Sequence, residues 1–326
     1  MRRHVLVLAV TLAARAALAG EMPGMTGHTM SAPPLMSGLG PVHHVVGTRS
    51  KDAQRFFDQG LALCYGFNHD EAIRAFRHAA ELDSTLAMAH WGSAFALGPN
   101  INMPMDSTHE VQAEQEMIRA RALAGGATAT DREYIDALSR RYGTPAGADR
   151  AARDSAYAGA MRALARRHPE DPDAGTLAAD AMMNLMPWHY WTLDGRPQPG
   201  TEELVGLLEQ VLKTHPDHTG ANHMLIHAVE ASPHPERASA AAERLKTLAR
   251  SAGHLVHMPT HIGARLGDWV DCGERNDLAA QVDRRYIAAE KPEGMYPLMY
   301  YNHNLQFAAF AWTIAGAHSR ALVDAK

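Results

Sequence analysis

A chain of 326 residues with 46% hydrophobic and only 6% aromatic content can bury a substantial core, built from Ala, Leu and Met more than from rings. Its formal net charge of −5, with acidic and basic residues interspersed, supplies no basic face and excludes nucleic acid as a partner. The 20 histidines outnumber the 7 Phe and 5 Trp together, an excess that needs a reason.

The chain begins MRRHVLVLAVTLAARAALAG, with Arg2 and Arg3, an apolar run from Val5 to Ala14, and small residues at Ala17 and Ala19. That order is expected of an export signal over residues 1–19. The run falls short of the roughly 20 apolar residues that span a bilayer, and Arg15 interrupts it. The mature chain is therefore expected outside the cytoplasm, periplasmic or secreted, with no membrane span. Residues 20–50, rich in Met, Gly, Pro and His and without periodicity, read as a flexible tail. Within it Met22, Met25, His28 and Met30 are either a soft-metal cluster of the kind copper favours or the remnant of a low-complexity leader. His43 and His44 are either a surface pair or, if the tail folds back, part of a groove.

From residue 51 to 326 the text is helical almost throughout. In AQRFFDQGLALCYGFNHDEAIRAFRHAAELDST two helical patterns flank a Gly and Asn turn, and Gly60, Ala72, Phe76 and Ala79 stand where small and aromatic residues let two helices pack closely. This resembles the tetratricopeptide repeat, a 34-residue helix-turn-helix, with Ser84 where the family has proline. The period recurs: Ala94 lies 34 beyond Gly60, and the segments around Ala238 and Leu245 align at the same spacing with those around Cys272 and Ala279. The resemblance implies an all-α solenoid of about seven helix pairs, the last incomplete, with insertions at 98–108, 144–149, 187–200 and 289–296. An incomplete last pair is expected either of an abrupt end, of a longer natural chain, or of a partner acting as cap. FNHDEAIRAF, HWGSAFALGPNIN and HMPTHIGARLGDW further resemble phrases of an exported bacterial repeat family. Cys64 and Cys272, several repeats apart, are expected to be buried free thiols.

The histidines fall on this period. His223 and His227 in ANHMLIHAVE are four apart, as are His257 and His261 in HLVHMPTH, and the two pairs stand 34 residues from each other. Residues four apart on a helix share a face, with Cβ atoms about 5–6 Å apart, and packed neighbours lie about 8–10 Å away. Four imidazoles should thus meet in one patch, which the resemblance places on first helices lining a concave groove. One repeat back, the alignment puts Asp180 at the position of His227 and His261; Glu230 lies a turn beyond His227, and His303 falls near the position of His254.

Asp180, His223, His227, His257 and His261, with Glu230, His254 and His303 as additions, form a carboxylate and imidazole set suited to Zn, Fe, Mn or Cu, in a site partly open to the groove. The alternative is a groove whose histidines contact a peptide, protein or small molecule without metal. Pro259 requires that the helix either start there or bend there. MPWHYW, from Met186 to Trp191, is either an aromatic lid carrying His189 or an insertion packed on the helices, and His69 and His90 read as packing contacts. No phosphate loop, nucleophile elbow, His-Glu-x-x-His or Cys-x-x-Cys occurs, so nucleotide binding has no support and no catalytic residue is assigned.

Overall fold

The computed structural model describes residues 32–143 and 149–324. The expected signal at 1–19 and the Met22, Met25, His28 and Met30 cluster lie outside the described residues. The chain divides into Met1–Ala32 and Pro33–Lys326, and the account below concerns the second unit.

The described part of this unit is all-helical, with no strand beyond two isolated bridges. Among the described residues the helices follow as seven neighbouring pairs: α1 (Lys51–Tyr65) with α2 (His69–Leu82), α3 (Ala87–Ala96) with α4 (Ser107–Leu123), and α5 (Ala129–Leu138) with α6 (Arg150–Arg167). After these come α7 (Pro172–Met183) with α8 (Thr201–Thr214) and α9 (Thr219–Val229) with α10 (Ser239–Leu248). The broken helix α11 (Gly253–His257) and α12 (Pro259–Leu266) packs on α13 (Trp269–Glu290), and α14 (Tyr301–Ile314) on α15 (His318–Asp324). No helix here is long and apolar enough to cross a membrane.

Local chemistry sets the helix starts. Ser50, Asp106, Asp171 and Asp268 each accept a backbone N–H of the first turn, and Thr128 with Asp131 forms a reciprocal capping box. Gly267, at φ +90°, ends α12 where a side chain would be strained. Close packing follows the small residues: a Cβ added to Gly60 of α1 or Gly92 of α3 would lie 2.6 or 2.5 Å from the Phe76 ring of α2. Cys64 and Cys272 are both buried free thiols, as expected.

Two features depart from the sequence reading. Residues 33–50 do not hang free but form a strap over the helices. Leu39 and Val46 are buried, Gln59 of α1 holds the Met36 N–H and the Pro34 carbonyl, the Ser251 N–H donates to the Gly38 carbonyl, and the Gly47 N–H donates to Asp131. The segment lacks periodicity because its hydrogen bonds go to other elements. Moreover the helical path turns back on itself, so that α1 packs against α9 and the enclosed space fills with side chains.

His44 anchors the strap. Its buried ring donates to Asp173 of α7 at 2.8 Å, and the same carboxylate accepts from His218 and from the Tyr65 hydroxyl. Burial alone would lower the His44 pKa, but the Asp173 hydrogen bond and charge outweigh it and raise it to about 9, while Asp173 is held far below the ordinary carboxyl range. The His44 contribution is therefore complete below pH ~6.5 and lost as pH rises through about 9. That of Asp173 is lost only in strong acid. We expect His44→Ala to cost ~1–3 kcal/mol at pH 7 by denaturant unfolding, and the gap from the wild type to narrow at pH 10.

Candidate metal centre

Seven side chains from α9, α11, α12 and α14 converge in the enclosed space. His223 and His227 lie on unbroken α9, and Glu230 caps its end. His254 and His257 lie on α11, His261 on α12 and His303 on α14. His223 and His257 are fully buried, and His227 and His254 are each 2% exposed. His261 and His303 are only partly covered, so the site is far more enclosed than an open groove and faces solvent through these two.

Met258 keeps helical angles, but Pro259 has no N–H for the ladder, so the path breaks between α11 and α12. The break leaves the pair spacing unchanged: the His257 and His261 rings have centroids 4.7 Å apart and those of His223 and His227 on unbroken α9 4.8 Å, while the tilts differ, 84° against 57°. The Nε2 atoms of His257 and His261 stand 2.8 Å apart.

Hydrogen bonds assign the tautomers. Asn276 of α13 donates its amide to the Cys272 carbonyl at 2.7 Å, which turns its Oδ1 towards His257; His257 Nδ1–H donates to it at 2.6 Å. His261 Nδ1–H donates to Glu230 Oε2 at 2.5 Å, and His227 Nδ1–H to Glu230 Oε1 at 2.9 Å. His223 Nδ1–H donates to the Tyr65 carbonyl at 2.6 Å. In neutral rings these bonds leave the Nε2 atoms as lone pairs. The Nε2 atoms of His257 and His261 thus face each other, and in neutral rings both present lone pairs. His223 Nε2 faces His254 Nε2 at 3.1 Å, and His227 Nε2 is buried without a partner.

The Glu230 carboxyl stays ionised. Burial alone would raise its pKa, but His261 and His227 outweigh it and hold the group well below the ordinary carboxyl range. Burial, with the neighbouring rings, pushes His223, His254 and His257 well below 6.5, lowers His227, and brings His303 to about 4.

Aromatic walls close the cluster. Phe67 lies 5.8 Å from His227 and 5.1 Å from His254, near-parallel to both, while Trp188 meets His227 edge-on at 5.2 Å. Both walls have positive φ, +57° for Phe67 and +64° for Trp188. Such backbone costs ~1–3 kcal/mol, which burial of an aromatic side chain, worth ~1.5–3 kcal/mol, offsets for Phe67. Trp188 is 45% exposed and lacks that full return. The Met186 to Trp191 segment thus packs on the helices, with Trp191 donating to the Ala228 carbonyl; His189 stays exposed, outside the cluster.

Within the cluster, groups with ligand atoms close enough to share an ion are His257, His261 and His303; His223, His227 and His254; and His227, Glu230 and His261, while His44, Asp171 and Asp173 form a fourth group elsewhere, at the strap. Of the sequence-derived set the fold joins His223, His227, Glu230, His254, His257, His261 and His303. His303 sits beside His257, with ring centroids 4.7 Å apart. Asp180 belongs to none of these groups. It accepts from Asn184, lines a separate small cavity with Cys64 and His69, and burial raises its pKa to about 6. One helical pair back, the repeat alignment points it at the α1 side of the core instead of the imidazoles. His69 stacks on Phe67, His90 pairs with Glu116, and His43 with Asp58, all as packing or polar contacts. Trp188, from the segment weighed as an aromatic lid, does wall the cluster; Asn276, the Tyr65 carbonyl and Phe67 carry no sequence signal for this role, since none lies on the 34-residue period that marks the histidines.

No protein-family model matches the chain, and no curated protein matches it. The chemistry therefore rests on the geometry.

Depressed histidine pKa values predict a pH dependence of stability. Between the depressed folded values and the ordinary ~6.5 the unfolded chain binds more protons, so stability is full above that window and falls with acidification below it. For chelator-treated protein we expect the cluster's own contribution to the unfolding free energy to be flat from pH 7.5 upward, beneath the decline that loss of the His44 charge causes as pH rises through about 9. Towards pH 5 that contribution should decline by up to ~1.4 kcal/mol per pH unit for each proton taken up. A His254→Gln variant should show a shallower decline in the same titration.

Proposed function

We propose that this chain is an exported, tetratricopeptide-like helical-repeat protein that binds a divalent transition metal through His257, His261 and His303. Glu230 and Asn276 act as positioning residues. The observation that carries the reading is the His257 and His261 pair, whose Nδ1 protons are committed and whose Nε2 atoms lie 2.8 Å apart. Two nitrogens bound to one ion at ~2.0–2.1 Å, at angles from a right angle to the tetrahedral value, lie about 2.8–3.4 Å apart. The pair stands at the lower edge of that range. A carboxylate and an amide oxygen behind the ligands set their tautomers and raise their basicity. Three imidazoles leave a fourth position for water or a small ligand, on the side where His261 and His303 are partly covered.

Export rests on the first 19 residues, and the repeat reading on the seven successive helix pairs and the Gly60 and Phe76 packing. A metal-free groove that grips a peptide is less well supported. It would need the imidazoles exposed to the partner, and four of them are at most 2% exposed.

Elemental analysis of untagged protein purified without chelator tests the metal. Near-stoichiometric Zn, Cu, Fe or Mn is expected in the wild type, and its loss in His257→Ala/His261→Ala. Glu230→Gln should retain the ion at saturation but bind it ~10–100-fold more weakly. Absence of all four metals after each has been offered would overturn the reading.

A further inference from the structure

Resting on that metal-binding reading, we propose that the cluster is dinuclear: His223, His227 and His254 hold a second ion beside the first, and the pair is copper. Ligand atoms within 4.8 Å of one another gather the six imidazoles into two triads, bridged by the group His227, Glu230 and His261 and joined where His227 meets His261 at a centroid distance of 5.3 Å and His254 meets His257 at 5.8 Å. One ion at ~2.1 Å from each ligand holds its nitrogens within about 4.2 Å of one another, so each triad closes slightly around its ion.

The second triad carries its own marks of a ligand set. His223 is locked by the Tyr65 carbonyl with its Nε2 lone pair 3.1 Å from His254 Nε2, inside the separation that two ligands of one ion adopt. His227 Nε2, on a side chain 2% exposed, has no hydrogen-bond partner. A buried imidazole nitrogen normally finds one, and leaving it orphaned is unfavourable. Glu230 ties the triads together by accepting from His227 of one and His261 of the other.

The donors choose the metal. Six neutral nitrogens, with the one carboxylate already accepting two N–H bonds, do not suit Ca or Mg, which take oxygen ligands. Imidazole suits copper, and Cu(II) stands highest among the divalent ions in affinity for such sites. Charge favours its reduced form: two divalent ions would bring four positive charges beside a single Glu230 in an enclosed site, whereas two Cu(I) ions bring two.

Anaerobic titration of the full chain with Cu(I), against a chromogenic competitor, tests this. Each double variant, His223→Gln/His254→Gln and His257→Ala/His261→Ala, should bind one copper fewer than the wild type, and the quadruple variant two fewer. Copper held by Met22, Met25, His28 and Met30 would persist in all four proteins and cancel from the differences. After oxidation with ferricyanide, the spin signal per copper should be lower in the wild type than in either double variant, because adjacent Cu(II) ions couple. His254→Gln alone, with its circular dichroism compared to the wild type, guards against loss by unfolding and should also lose one copper. If only the His257→Ala/His261→Ala change removes copper, the second subsite is overturned while the single-ion reading stands. If no variant changes binding, both fall. Two Zn(II) bound in parallel titrations, with no tight copper, would overturn the choice of metal.

Discussion

The Tyr65 carbonyl, accepting the Nδ1–H of His223, ties the first helical pair to the fifth, and the interior of the molecule depends on that closure. Tyr65 is held at both ends, since its hydroxyl donates to Asp173. The approach of α9 requires Gly220, where an added Cβ would lie 2.5 Å from the Tyr65 ring. Had α1 stayed apart from α9, Phe67 would not reach the histidines and their nitrogens would be solvated. Closure therefore gathers the imidazoles into an enclosed cluster that could hold a metal ion. The strap works to the same end, because His44 delivers its charge to the same Asp173.

An enclosed polar cluster of this size opposes folding. Each imidazole loses water, several lose basicity, and His227 Nε2 and His254 Nδ1 lack partners. Two aromatic residues hold unfavourable backbone to wall it in. Apolar side chains of similar volume would fill the space at lower cost. A cost that falls on residues sharing a ligand geometry locates function more firmly than any one contact.

Much of this was legible in the sequence, for identifiable reasons. Helix pairs follow from periodicity and capping, and Gly60 with Phe76 marked a close approach that the structure shows. The 34-residue recurrence brought His223, His227, His257 and His261 together because equivalent positions on successive helices face the same way. Asp180 obeyed the same arithmetic and still missed, since the side of the core that a helix faces changes as the path curls back. Asn276 and the Tyr65 carbonyl could not be anticipated: both come from elements whose contact with the histidines depends on closure. Residues 33–50 read as a tail because hydrogen bonds to distant partners leave no local pattern.

The two histidine pairs show how far a repeat specifies chemistry. Identical i,i+4 spacing on α9 and across the α11 to α12 break places imidazoles on one face in both, yet only the second brings two Nε2 atoms within 3 Å. The ring centroids are equally spaced in both pairs, 4.8 and 4.7 Å, and only the tilt differs, 57° against 84°. The Nδ1 partners set that tilt: the Tyr65 carbonyl and Glu230 for His223 and His227, Asn276 and Glu230 for His257 and His261. On α9 His223 turns to His254 and His227 leaves its Nε2 free. Spacing set the positions, and different hydrogen-bond partners made equivalent side chains into two inequivalent triads around a shared carboxylate.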